Sequence, residues 1–423
     1  MPAISPRREF LVTSLAGAAA LAFSPWAAHA RAAEEKKAGG KSAKACILLF
    51  LDGGPSHIDT FDPKPGAPTG GSFTAIDTKI AGVKLSQHLP KLAAVSDKLA
   101  IIRSLTSKEG DHDRAQVLLH TGYSPTPALV YPALGSVVAR EKQDESVIAP
   151  GYVSVGDTLG SGYLGPEFGP YVVSDPVNPG QNLALPEGFA AERLAKRMKA
   201  LEAFNGGFAK KTASSRPLDF TRLSVKANRM RESAALKSFD PATEEGQLWQ
   251  AYGGEVADGS LARSLILARR MVENGVRFVE VRLGGWDTHG DNFNQVQALS
   301  AQLDAGLGTL IKDLSDRGLL ESTLVLCVGE FGRTPQINGD NGRDHHSDVF
   351  SAVIAGGGTR GGRVIGSSDD AGAQVKERPV TIPDLHATLL HACGIDPARE
   401  YHTPDGRPIK LTSGGKVVQE LFS

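Results

Sequence analysis

Three cysteines in 423 residues are too few for a disulfide scaffold, and Cys46, Cys327 and Cys393 are too widely spaced for a CxxC pair or a Cys/His finger. Two sit in apolar runs and the third in a helical pattern, so they read as buried, unreactive thiols. A surplus of either charge is equally lacking. Lys and Arg number 46 against 47 Asp and Glu, a net of -1, which gives no concentrated basic field to seek nucleic acid or an anionic membrane. Long apolar runs are missing too: the uncharged stretch at 11–23 is short and rich in Ala and Gly, whereas crossing a bilayer takes about 20 strongly apolar residues. No low-complexity block or internal repeat interrupts the chain. What remains, 41% hydrophobic and 22% charged, is a folded protein long enough for one large α/β domain with or without an insertion. Its expected partners are small molecules or neutral polymers.

The sequence does carry an address. Arg7 and Arg8 precede the uncharged stretch, which ends in small residues around Ala28 and Ala30. This pattern predicts a twin-arginine export signal over residues 1–30, removed after Ala30, and a periplasmic or extracellular destination. Residues 31–44, rich in Ala, Lys and Gly, read as a flexible lead-in to a domain spanning 45–423.

Within that domain short apolar runs alternate with helical patterns, the mark of a doubly wound, mainly parallel sheet with helices on both faces. Residues 46–51 and 323–328 are continuously apolar, as strands covered on both faces must be. Residues 276–283, 351–355 and 99–103 supply further strands. A helix follows from Leu261, and another from Phe293, where Val296, Leu299, Leu303, Leu307, Leu310 and Leu314 form one stripe. Residues 276–329 thus read as a βαβ unit. The stretch 160–245 differs: Gly and Pro early, then a polar, basic helical run, read as a mainly helical insertion or lid.

Three carboxylates follow expected strands: Asp52 after 46–51, Asp287 after 276–283 and Glu330 after 323–328. In open α/β sheets ligands bind outside the carboxyl ends of strands, so these groups can converge despite their separation. Glycines beside each allow close backbone approach. His289 lies two residues after Asp287, and His345 and His346 precede the strand at 351. Carboxylate oxygens with imidazole nitrogens suit a divalent cation (zinc, manganese, magnesium or calcium), and hydrolysis is the chemistry such an ion serves. Taken singly, the same Asp residues also read as turn or helix caps and the same His residues as surface hydrogen-bonders. Arg333 and Arg343 flank the region, either to grip a phosphate or sulfate or to pair with Asp340 or Asp344. Ser56, His57 and Asp59 read as a turn held by side chains, since proximity in sequence is not triad geometry.

The motifs LFLDGGPSHIDTFDPKP (49–65), GGWDTHGDNF (284–293), GEFGRTP (329–335), GRDHHSDVFSAVIAGGG (342–358) and DLHATLLHACGID (384–396) resemble those of an exported bacterial family catalogued as domain of unknown function 1501. That family is in turn similar to the alkaline phosphatase and sulfatase superfamily. The resemblance implies a doubly wound sheet carrying metal at its strand ends. The superfamily places a Ser, Thr or Cys nucleophile at a helix start in the region that here reads Asp111, His112 and Asp113, so His112 would take its place or bind metal. Where the superfamily has an Asp-His pair this chain has Glu330 and Phe331, and Asp287 and His289 are closer together than the corresponding superfamily pair, so one ion is expected rather than two. The expected function is a metal-dependent hydrolase of a phosphate or sulfate ester, with His112 and Arg333 in catalysis and Asp52, Asp287, His289, Glu330, His345 and His346 around the metal. The alternative is a non-catalytic member that binds a carbohydrate, an envelope polymer or a partner protein.

Overall fold

β1 (Ala45–Leu51) is buried along its whole length. Its side chains alternate between two cores, Ile47, Leu49 and Leu51 entering one and Cys46, Leu48 and Phe50 the other. A strand covered on both faces needs an unbroken apolar run, and this one has it. The computed structural model describes residues 42–423 apart from 182–184, 186, 213, 215, 233–243 and 245. The expected export signal and the lead-in up to residue 41 lie outside the described residues. Ala43 is already buried, its N–H donating to Ala392 O at 2.8 Å.

The other strands of the main sheet are β2 (Leu99–Thr106), β3 (Tyr152–Val155), β4 (Tyr171–Val173), β5 (Phe278–Leu283), β6 (Thr323–Val328), β7 (Phe350–Gly356), β8 (Arg363–Ile365) and β9 (Val380–Thr381). They form one nine-stranded sheet in the order β8-β2-β7-β6-β1-β5-β3-β4, with β9 also pairing β2. Every pairing is parallel except those of β7, which runs against both neighbours. Each of the five expected strands is present. The strands that sequence reading missed, β3, β4, β8 and β9, have four residues or fewer, too short to show a period. β5 and β6 run parallel in the sheet and are joined by the helix between them, as the expected βαβ unit has it, with β1 lying between the two strands.

The longer helices among the described residues are α1 (His112–Thr121), α2 (Leu134–Glu141), α3 (Ala191–Thr212), α4 (Arg216–Glu232), α5 (Ser260–Glu273), α6 (Asn292–Asp316) and α7 (Ile382–Ala392). Leu265 of α5 and Leu303, Leu307, Leu310 and Leu314 of α6 fill the core on one face of the sheet. On the other face Leu118 of α1, Val137 of α2 and Leu389 of α7 do the same. The stripe read from the sequence is thus the buried side of α6. In the stretch read as an insertion, β4 joins the sheet edge, while α3 and α4 stand side by side, with Asn205 Nδ2 donating to Thr221 Oγ1 at 3.0 Å.

All three cysteines are buried and free. Burial pushes the thiols of Cys46 and Cys327 well up and that of Cys393 to about 11, so they stay protonated and inert. Among the described residues no helix is long and apolar enough to cross a membrane.

Candidate metal centre

Five adjacent strands deliver side chains to one rim. In the order β2-β7-β6-β1-β5, the segments beyond the carboxyl ends of β2, β6, β1 and β5 carry His112, Glu330, Asp52, and Asp287 with His289. β7 is antiparallel, so its beginning lies at that same rim, and His345 and His346 arrive from just before it. The rim is where an open α/β sheet leaves polar groups free of strand pairing.

Asp287 is the focus. Its Oδ1 lies 3.2 Å from His112 Nε2, 3.2 Å from His289 Nε2, 3.4 Å from His345 Nε2 and 2.5 Å from Arg333 Nη2. Ligand atoms of His112, Asp287 and His345 all fall within 4.8 Å of one another, the one such group of His, Cys, Asp or Glu found among the described residues. His289 Nε2 is 3.0 Å from His345 Nε2.

The far side of each ring is already bonded. His112 Nδ1 donates to Glu330 Oε1 (2.6 Å), His289 Nδ1 to Asp344 Oδ1 (2.8 Å) and His345 Nδ1 to the carbonyl of Gly110 (2.9 Å). Carboxylates and carbonyls only accept, so each Nδ1 carries a proton, and each ring in its neutral form offers Nε2 as a metal ligand beside Asp287. His112 Nε2 is buried without a hydrogen-bond partner, its approach to Asp287 lacking the required angle. Three ring nitrogens gathered on one carboxylate oxygen form a donor set that a divalent cation fits. Acceptor-bound imidazoles are also how proteins fix metal-ligating histidines.

The support is rigid. Glu330 is fully buried and accepts the Gly53 N–H at 3.0 Å besides the His112 ring. Gly53, at φ +111°, brings the turn after β1 so close that a Cβ there would lie 2.4 Å from Asp287 N. Arg333 is buried: Nε donates to Gly54 O (2.9 Å), Nη1 to Arg343 O (3.2 Å), and Nη2 to both Gly53 O and Asp287. It fixes Asp287 and has no face left for a substrate anion, contrary to the expected grip. Arg343 instead forms a fully buried pair with Asp59, Nε to Oδ2 at 2.7 Å and Nη2 to Oδ1 at 3.1 Å, joined by Asn292 Nδ2 at 2.9 Å. Neither Arg takes the expected local partners Asp340 and Asp344.

The electrostatics follow the contacts. Burial works against ionisation of Asp287, but Arg333 and His112 hold its carboxyl down at about 2. The Glu330 bond raises His112 above the ordinary imidazole value, with burial opposing it. Burial lowers His345, and the charges of Arg333 and His112 add to that, which keeps its Nε2 lone pair free.

The structure therefore brings His112, Asp287, His289 and His345 together, with Glu330 and Arg333 directly behind them. It does not bring Asp52 or His346. The Asp52 carboxylate faces Arg282 (2.6 Å) and Gln116 (2.7 Å), and His346 Nε2 bonds Ala373 O at 2.8 Å. Two groups that sequence reading left out, the Gly110 carbonyl and the Asp344 carboxylate, orient the rings. The acid immediately before the paired histidines was the available signal for Asp344; nothing marked a loop carbonyl. His57, near Asp59 in sequence, is buried away from the centre, its Nε2 bonded to Gly372 O at 2.8 Å, and burial lowers it to about 4.

No curated protein matches this sequence. Among solved structures the chain is similar to the PsFucS1 sulfatase from Pseudoalteromonas sp., at 15% identity over 88% of this chain and 72% of that chain, with a TM-score of 0.40. It is similar also to the phosphonate monoester hydrolase SpPMH from Silicibacter pomeroyi (12% identity, 90% of this chain, 76% of that chain, TM-score 0.38). A magnesium-bound mutant of TAB5 alkaline phosphatase is a third (12% identity, 84% of this chain, 99% of that chain, TM-score 0.36). A family model described as "Protein of unknown function (DUF1501)" matches residues 43–422, and with nearly all of the described chain inside that match, the protein belongs to the DUF1501 family.

Proposed function

We propose that this protein is an exported metal-dependent hydrolase of a phosphate or sulfate ester. The observation that carries the reading is the convergence of three imidazole Nε2 atoms on Asp287 Oδ1, each ring already fixed through Nδ1. The donor set fits a divalent cation held by His112, Asp287, His289 and His345. Nitrogen donors in the majority favour zinc, then manganese, over the oxygen-seeking magnesium and calcium. When bound, such an ion supplies Lewis acidity toward an ester oxygen and lowers the pKa of water. The chain's own groups supply the rest: Glu330 and Asp344 hold the rings in one tautomer, and Arg333 keeps Asp287 ionised and in place. Asp287 is about half exposed, so the centre is open to a ligand from solvent. The ester class rests on the resemblance of the motifs to the phosphatase and sulfatase superfamily, and export rests on Arg7 and Arg8 ahead of the uncharged stretch.

One observation favours a second reading, a non-catalytic member that binds a carbohydrate or envelope polymer: α1 begins at Asp111, His112 and Asp113, without a hydroxyl or thiol nucleophile, and Arg333 is buried. Elemental analysis of protein purified from its natural host, followed by turnover assays on nitrophenyl phosphate, phosphonate and sulfate esters, separates the two. The hydrolase reading expects about one equivalent of metal and turnover abolished by Asp287→Ala. Metal without turnover supports the binder. If metal is absent and Asp287→Ala leaves every activity unchanged, the reading fails.

A further inference from the structure

Charge is not spread evenly along this chain. Residues 191–232, the pair α3 and α4, contain eleven Lys and Arg against four Asp and Glu, although the whole chain carries a net of -1. One side of α4 faces the body of the protein, where Arg222 Nε bonds Glu167 Oε2 at 3.1 Å. Large apolar side chains stand exposed on the pair: Phe204 is 73% exposed, Phe208 49% and Phe220 56%. Phe204 and Phe208 are four apart on α3, so they share a face, and Arg197 and Lys211, seven before and seven after Phe204, lie on it too. On α4, Arg216 stands four before Phe220.

We infer that α3 and α4 form a docking surface for an anionic lipid bilayer, the exposed phenylalanines entering the interface and the surrounding basic side chains meeting lipid phosphates. Phe204 and Phe208 make one exposed apolar patch on α3 with a basic residue on either side of it, a composition that marks an interaction site. An acidic polymer would satisfy the charge and leave the aromatic rings in water; an anionic bilayer satisfies both, which is the composition of helices that lie in a membrane surface. The surface is peripheral, since no described helix is long and apolar enough to span. The balanced composition concealed the basic face because the opposite charge lies elsewhere in the chain.

The test is co-sedimentation of the full chain with vesicles of phosphatidylcholine alone and of phosphatidylcholine with phosphatidylglycerol, using two triple variants. Phe204→Ser/Phe208→Ser/Phe220→Ser removes the rings, and Arg197→Glu/Lys211→Glu/Arg216→Glu reverses flanking charge. All six positions are exposed, so circular dichroism and metal content should match the parent protein. The expected result is binding to the anionic vesicles alone, reduced at least about tenfold in each variant and weakened by raising salt. The inference is overturned if the protein does not bind, if both variants bind like the parent, which assigns binding to another segment, or if the phenylalanine variant converts a dimer to a monomer, which assigns the patch to a second copy.

Discussion

His289 Nε2 and His345 Nε2 stand 3.0 Å apart while Nδ1 of each ring is already engaged. With both rings neutral and protonated at Nδ1, the two Nε2 atoms are placed to bind one cation together. Zinc titration of metal-stripped protein should therefore show His345→Ala weaker by at least the roughly 10–100-fold that loss of a mere outer partner costs. Equal affinity in parent and variant would remove His345 from the centre.

Glu330 is the outer partner with the highest demand, since one buried carboxylate serves both the Gly53 N–H and the His112 ring. Glu330→Gln keeps the shape but removes the negative charge behind the His112 ring. Metal affinity should fall roughly 10–100-fold with the thermal midpoint little changed in the metal-free protein. A variant that binds metal like the parent would show His112 oriented by something else.

The Asp59 and Arg343 pair ties the turn after β1 to the loop before β7 with no exposure of either side chain. Asp59→Ala leaves a buried guanidinium short of its partner, and urea denaturation should report a loss of about 3–5 kcal/mol. A loss under about 1 kcal/mol would put the pair in the class of surface bridges.

Under Phe50 on the sheet, His120 Nε2 bonds Glu280 Oε1 at 3.0 Å, and Tyr152 and Thr158 donate to the other oxygen. Burial opposes both charges, yet each partner wins for the other: His120 is raised from 6.5 and Glu280 lowered from 4.5. The His120 contribution is complete below pH 6.5 and is lost as pH climbs through its raised value. The Glu280 contribution is complete above pH 4.5 and is lost as pH drops through its lowered value. Relative to His120→Gln/Glu280→Gln, the parent should be most favoured between pH 4.5 and 6.5, its advantage in melting temperature shrinking on both sides. A difference constant from pH 4 to 9 would show that the pair is not ionised.

Gly53→Ala tests the close approach behind Asp287. A Cβ at φ +111°, 2.4 Å from Asp287 N, costs about 1–3 kcal/mol in backbone strain alone and must displace the loop that carries the carboxylate. Stability and metal affinity should fall together, whereas Gly82→Ala, whose Cβ meets nothing within 4 Å but whose φ is also positive, should lower stability only.

Much of the centre was legible because acids and histidines beside glycine follow apolar runs, a pattern that marks the ends of buried parallel strands. What sequence could not show was adjacency. Asp52 meets Arg282 because Phe50 and Arg282 pair across β1 and β5, and nothing local says that those strands are neighbours. Arg343 likewise passes over nearby acids for Asp59, far earlier in the chain. The separation of the two adjacent histidines was readable in principle: His345 and His346 pair with Arg333 and Gly332 as a short ribbon, so their side chains leave on opposite faces, one toward Asp287 and the other toward Ala373.

The position of β1 constrains how the molecule is made. The earliest strand of the sheet has both edges closed by segments synthesised much later, Phe278–Leu283 on one side and Thr323–Val328 on the other. A nascent chain emerging from the ribosome thus exposes two unpaired edges of an entirely apolar ribbon until those segments appear, the situation in which chains aggregate or recruit a chaperone. Assembly is accordingly slow to nucleate and dominated by distant pairings.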